Sequence, residues 1–218
     1  MLPTVLRDWW GFFIRLYVDK VGIFLDYENI HRTGHELFSQ ANLKKYESVV
    51  NPITLAETII RKRKRPSILT GVHVFRGRPV PAFEHKSASA NDRQASEWSK
   101  DSRVQLVRRD LKYEVDRKLG RFQAREKGID VALAIALVES AILGKFDSVI
   151  VFSSDTDLLP AIELVYKRTK CHLEIACWKG ARPLWFPELL QKAPRIYSPY
   201  CHFLGADDFN SCRDRPSN

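Results

Sequence analysis

The 218-residue sequence contains no apolar stretch long and uncharged enough to cross a bilayer as a helix. It has no internal repeat and no long low-complexity linker, so one folded unit is the expectation. Cysteine is scarce. Cys171, Cys177, Cys201 and Cys212 all fall in the last quarter, and no C-x-x-C pair is present. Four thiols in a chain of this length do not make a disulfide scaffold, and reduced thiols in a cytoplasm are expected. A zinc site built from them with His172 or His202 lacks the paired spacing such sites use. Acids are also in deficit, with 26 Asp and Glu against 35 Lys and Arg, for a formal net charge of +9. Excess positive charge favours polyanions, either nucleic acid or an anionic membrane surface.

What remains is an ordinary globular composition. Hydrophobic residues make up 44% and charged residues 28%, which argues against a largely disordered chain. The length suits one α/β domain with a sizeable core. Residues 1–20 stand apart. Val5, Trp9, Phe12, Phe13 and Leu16 follow helical spacing, with Arg7, Asp8 and Arg15 elsewhere on the wheel. No clear signal-peptide cleavage site is present. This segment is expected to be an amphipathic helix packed on the domain or on a second copy, which allows a homodimer. An interfacial membrane helix is the alternative, and integral membrane association is not expected.

From Val21 onward, strand and helix patterns alternate. Strands are expected at Val21–Tyr27, Ile68–Phe75, Val104–Val107, Ser148–Ser153 and His172–Cys177. Helices are expected at Pro52–Arg63, Glu84–Lys100, Ile129–Leu143 and Leu158–Arg168. The helix from Ile129 is apolar almost all round, which reads as deep burial. This series predicts an α/β fold with a mostly parallel central sheet and helices on both faces, a three-layer α/β/α sandwich over residues 21–180. After residue 180 the chain is rich in Pro and aromatics and reads as an irregular C-terminal cover.

The acids are few but placed together. Val21-Gly22-Ile23-Phe24-Leu25 stops in Asp26-Tyr27-Glu28-Asn29, and Val149-Ile150-Val151-Phe152 stops in Ser153-Ser154-Asp155-Thr156-Asp157. Lys127-Gly128-Ile129-Asp130 opens a helix between them. Ligands of open α/β sheets bind beyond the carboxyl ends of the strands. Asp155 and Asp157, at i and i+2 of extended chain, would point to one side. Singly, Asp130 and Asp157 also suit helix N-termini, and Asp26 a turn; Asp147 reads as a turn acid. Together, Asp26, Asp130, Asp155 and Asp157 would repel one another by on the order of 4 kcal/mol per pair at about 4 Å and an effective dielectric near 20. A divalent cation removes that cost, which points to Mg²⁺ or Mn²⁺. Glu28 is a weaker candidate.

Three blocks carry a resemblance. Asp26-Tyr27-Glu28-Asn29-Ile30, Lys127-Gly128-Ile129-Asp130-Val131-Ala132-Leu133-Ala134 and Ser153-Ser154-Asp155-Thr156-Asp157-Leu158-Leu159-Pro160 resemble the signature blocks of NYN domains, PIN-like ribonuclease domains of the LabA/limkain type. The resemblance covers about residues 20–180, in the family's order and spacing. It implies a PIN-like, Rossmann-like fold and metal-dependent RNA cleavage. It implies that Asp26, Asp130, Asp155 and Asp157 bind metal, that Asn29 positions a ligand or water, and that Lys127 faces a phosphate. The chain departs from the pattern at Ala136, where family members often carry another Asp, and at Ser154 and Leu158, where they often carry Gly and Phe.

Two basic stretches stand out. Arg61-Lys62-Arg63-Lys64-Arg65 suits the solvated C-terminal end of a helix. Arg108, Arg109, Lys112, Arg117, Lys118, Arg121, Arg125 and Lys127 form an arm that leads into Asp130 and is expected to contact phosphates, with Arg76 and Arg78 contributing. Trp98, Trp178 and Trp185 are candidates for base stacking, although core packing is their commoner use. The leading reading is a metal-dependent endoribonuclease. A non-catalytic RNA-binding adaptor of the same fold is the alternative, motivated by Ala136. A phosphohydrolase with Asp155 as nucleophile is the third, weakened by Leu159 in place of the Thr or Val of a D-x-D-x-T loop.

Overall fold

The computed structural model describes residues 17–116, 121–184 and 199–214. The expected N-terminal helix and Trp185 lie outside these residues.

The chain order is β1 (Asp19–Asp26), α1 (Tyr27–Phe38), α2 (Pro52–Lys62), β2 (Ser67–Arg78), α3 (Pro81–Trp98), β3 (Val104–Asp110), β4 (Lys112–Asp116), β5 (Arg121–Arg125), α4 (Ile129–Ile142), β6 (Ser148–Phe152), α5 (Leu159–Arg168), β7 (His172–Trp178), β8 (Tyr200–Leu204) and α6 (Ala206–Cys212). Six strands form one sheet in the order β3-β2-β1-β6-β7-β8, and every neighbouring pair is parallel. β4 and β5 make a separate antiparallel hairpin. The expected three-layer α/β/α, PIN-like architecture is the one found.

The apolar strands divide their side chains between two cores, as alternation requires. Val21, Ile23, Leu25, Val72, Val74, Ile150 and Phe152 pack with residues of α1, α2 and α6 on one face. Phe24, Phe75, Val149, Val151 and Ile175 pack with α4 and α5 on the other. Local signals start the helices. Asn51 Oδ1 accepts from the backbone N–H groups of Ile53 and Thr54 at 3.0 and 3.1 Å, and Pro52 occupies the first turn of α2, where a missing N–H costs nothing.

Four expectations change. The first strand ends at Asp26, and Tyr27 already opens α1, because the Asp26 side chain caps that helix. The basic arm contains the β4–β5 hairpin. The stretch read as irregular cover includes β8 and α6. Finally, α4 is not deeply buried. Leu133, Leu137 and Ala141 are buried, whereas Val131, Ile135 and Ile142 face solvent. A helix apolar on all sides says nothing about which side meets the sheet.

At the amino ends of the strands the Arg61–Arg65 run is also more than a solvated helix end. Arg63 is buried and reaches Asp19 Oδ2 at 2.9 Å, Glu174 Oε1 at 2.7 Å and Ser148 Oγ at 2.7 Å. His202 Nε2 lies 2.6 Å from Glu174 Oε2. Arg63 thus ties together β1, β6 and β7, at the end of the sheet opposite the acids.

Candidate metal centre

The strand order runs 3-2-1 on one side of β1 and 6-7-8 on the other. Connections therefore leave in opposite directions at the β1/β6 boundary, and a crevice opens there beyond the carboxyl ends. Asp26 is the last residue of β1, and Asp155 lies three residues beyond β6. Asp130 sits in the first turn of α4, where the helix dipole favours an acid. Carboxylate oxygens of Asp26, Asp130 and Asp155 all lie within 4.8 Å of one another.

Asp26 is held by side-chain and backbone partners on both sides of the crevice. Asp26 is buried. Its Oδ2 accepts from the Ser153 hydroxyl at 2.7 Å, and its Oδ1 accepts from the Asn29 backbone N–H at 3.4 Å. Burial pushes its pKa up to about 6, aided by the charges of Asp130 and Asp155 and opposed by the Ser153 hydrogen bond. Asp130 is raised as well, first by burial and then by the charges of Asp155 and Asp157. The site is thus electrostatically frustrated without a cation. Oxygens bound to one Mg²⁺ at about 2.1 Å sit about 3 to 4.2 Å apart. Half-buried Asp130 and Asp155 can close the remaining gap by small side-chain rotations, so the donor set fits a hard divalent ion.

Asp157 stands differently from its expected place. The chain is not extended after Asp155 but turns into a one-turn 3₁₀ helix, Thr156–Leu158, with Asp155 Oδ1 accepting from the Asp157 N–H at 2.9 Å. The i, i+2 alternation therefore fails. Asp157 is exposed and outside the three-acid cluster, although its charge still reaches Asp130.

Asn29, expected to position a ligand or water, joins two segments of the chain. Its Oδ1 accepts from both the backbone N–H and the hydroxyl of Ser154, at 3.2 and 2.9 Å. The start of α1 is therefore tied to the loop after β6. Glu28 forms an ion pair with Lys45.

A fourth acid near the triad was not expected. Glu126 Oε1 accepts from the Gly77 N–H at 2.5 Å, which pins the approach to α4 onto the end of β2. Its pKa is pushed up to about 7, chiefly by burial, with the charges of Glu28, Asp26 and Asp130 adding to the effect. In the sequence this acid is hidden between Arg125 and Lys127. Its one signal is its position four residues before Asp130.

The basic candidates part company. Arg76 is packed among aromatic rings, 4.5 Å from the Tyr27 centroid and 5.2 Å from that of Trp98, and donates to Gln94 Oε1 at 2.9 Å. It buttresses α1 and α3 instead of facing solvent. Arg78 and Arg108 both pair with Asp92. Arg125 is exposed on the hairpin, 3.9 Å from Glu114. The backbone of Arg121 lies in β5, but its side chain falls outside the described atoms. Lys127 is exposed beside the left-handed Gly128, whose φ of 77° a side chain would strain. A Cβ at Gly128 would sit 2.8 Å from Arg109 Nη1, so the Arg109 guanidinium lies at the start of α4. Trp98 and Trp178 are core residues, with Trp178 Nε1 donating to the Ile30 carbonyl at 2.8 Å. Neither is available to stack on a base.

The NYN domain family model matches residues 20–197, most of the chain. The chain belongs to the NYN domain family. A crystal structure of a protein of unknown function from Vibrio parahaemolyticus is similar at 17% identity and a TM-score of 0.49, covering 88% of this chain and 95% of that one. Comparison with curated proteins finds no match. As an NYN domain the chain sits in a PIN-like nuclease family, and its acidic triad can hold a divalent ion.

Proposed function

We propose that this NYN domain is a metal-dependent ribonuclease that cleaves RNA phosphodiester bonds, with Mg²⁺ or Mn²⁺ held by Asp26, Asp130 and Asp155. One observation carries the reading: three carboxylates from three separate elements meet within 4.8 Å at the switch point of the sheet. When bound, a divalent cation lowers the pKa of a water and neutralises charge at the scissile phosphate. Asp26, fixed by Ser153 and Asn29, sets the orientation of the site. Asp130 and Asp155 supply the more accessible oxygens. Asp157 and Glu126 stand further out, where they can accept a proton from an approaching water or hydroxyl. Arg109 and Lys127, both at the start of α4, are the cations placed to contact RNA phosphates. Among the described residues no helix is long and apolar enough to cross a membrane, and the cytoplasm, where thiols such as the adjacent Cys177 and Cys201 stay reduced, is the compartment we propose.

The test is cleavage of labelled RNA with Mn²⁺ by wild type and by Asp155→Asn. The variant is expected to bind RNA and lose turnover. Unchanged metal-dependent cleavage by Asp155→Asn would reject the site.

A second reading, an RNA-binding adaptor without turnover, is supported by Ala136. This residue packs at the margin of the core where relatives often place an acid. Salt-sensitive RNA binding with no cleavage across several RNAs and metals would favour it.

A further inference from the structure

The β4–β5 hairpin has two unlike faces. Its register sets Tyr113 opposite Ala124 and Val115 opposite Phe122. Directly paired residues share a face, so these four form an apolar side. Lys112, Glu114, Gln123 and Arg125 occupy the other. The apolar side leans on the first turn of α3, where Phe83 stacks on Tyr113 with centroids 4.3 Å apart and planes 13° from parallel. Phe122 meets Phe83 edge-on at 5.0 Å.

This cluster is not a closed satellite core. Phe83 remains 47% exposed and Phe122 58% exposed after packing. The arrangement is nonetheless rigidly held. The Tyr113 hydroxyl donates to Glu84 Oε1 at 2.9 Å and accepts from the Val80 N–H at 3.2 Å. Its location also matters. α3 begins three residues beyond β2, and the hairpin joins the end of β3 to Glu126, which is bonded to Gly77 at the end of β2. The rings therefore stand on the same edge of the sheet as the acids, on the β2/β3 side. Among the described residues from 108 to 127, Arg109, Lys112, Arg125 and Lys127 are exposed.

We propose that Phe83 and Phe122 form a stacking platform for the bases of unpaired RNA, so that the substrate is single-stranded where it leaves the acidic site. Exposed ring faces on the edge of the sheet that carries the acids match single strands, whose bases are free to stack, and not duplexes, whose bases are already stacked. The proposal rests on the RNA reading above and adds the strandedness of the substrate.

The experiment is fluorescence anisotropy in EDTA with a labelled oligouridine of about a dozen nucleotides, and with a duplex of the same length. Phe122→Ala is expected to weaken single-strand binding roughly 5- to 100-fold and to leave duplex binding within about twofold. Phe122→Trp, which keeps a π face, retains wild-type affinity. Phe122→Leu, which keeps apolar bulk without one, behaves as the alanine variant and carries the test should Phe122→Ala fail to fold. Unchanged single-strand affinity in the leucine variant, or equal losses on both RNAs, overturns the platform. The two readings fail separately. Selective loss of single-strand affinity in a protein that never cleaves keeps the platform and removes the nuclease. Cleavage with an unchanged KM in Phe122→Leu does the reverse.

Discussion

Asn29 accepts two hydrogen bonds from Ser154, one from its backbone and one from its hydroxyl. These bonds span the boundary between the two halves of the sheet and set the distance from Asp26 to Asp155. Asn29→Ala is therefore expected to cost about 1–2 kcal/mol of stability, the usual loss for a partly buried hydrogen-bonded group. It should reduce turnover about 10- to 100-fold, because a small misplacement of catalytic groups has an effect of this order. Thermal melts and single-turnover cleavage in Mn²⁺ check both. A full-rate variant would mean that Asn29 does not hold the two loops in register.

Asp26→Asn is expected to stabilise the metal-free protein while ending cleavage. A buried acid whose pKa rises from 3.8 to about 6 is destabilising above pH 6 by on the order of 1–3 kcal/mol. Between those two values the folded state binds more protons than the unfolded one, so wild-type stability falls as pH rises through this window. The neutral variant lacks that slope. Melts in EDTA at pH 7.5 should show Asp26→Asn above wild type, and the gap should close near pH 4.

Added Mn²⁺ should raise the melting temperature of wild type, by an amount equivalent to about 2.7 kcal/mol at a hundred times the dissociation constant. The rise should shrink as pH falls below 6, because protons then compete for Asp26. Asp130→Asn should lose most of it. A metal-induced rise that is equal at pH 5 and pH 7.5 would show that the ion sits elsewhere.

Arg63→Ala should cost about 3–5 kcal/mol, since it leaves buried Asp19 with only the exposed Arg65 and buried Glu174 with only the imidazoles of His172 and His202. Lys62→Ala, one residue away, breaks only the pair of the half-exposed Lys62 with Asp208 and should cost less than about 1 kcal/mol. Denaturant midpoints of the two variants make the comparison.

That contrast shows where sequence reading stops. Five neighbouring cations look alike on paper, and only the packing reveals that one of them faces inward. The parallel strands were legible because uninterrupted apolar runs have few other uses. The meeting of Asp26, Asp130 and Asp155 was legible because all three acids end or follow strands or open a helix. Other features had no such signal. α1 begins inside the first acidic block, so its start resembled a strand end. β8 is an edge strand of five residues with a mixed burial pattern. Asp157 was misplaced because alternation assumes extended chain, and the backbone after Asp155 coils instead. Glu126 was concealed by the basic residues on both sides.

The hairpin is set between an edge strand and the helix that carries Asp130, and it shares no ladder with the main sheet. Residues of β4 and β5 can change while the six-stranded frame is left alone. Grafting β4–β5 from one NYN domain to another therefore tests whether the hairpin governs the preference for one RNA over another.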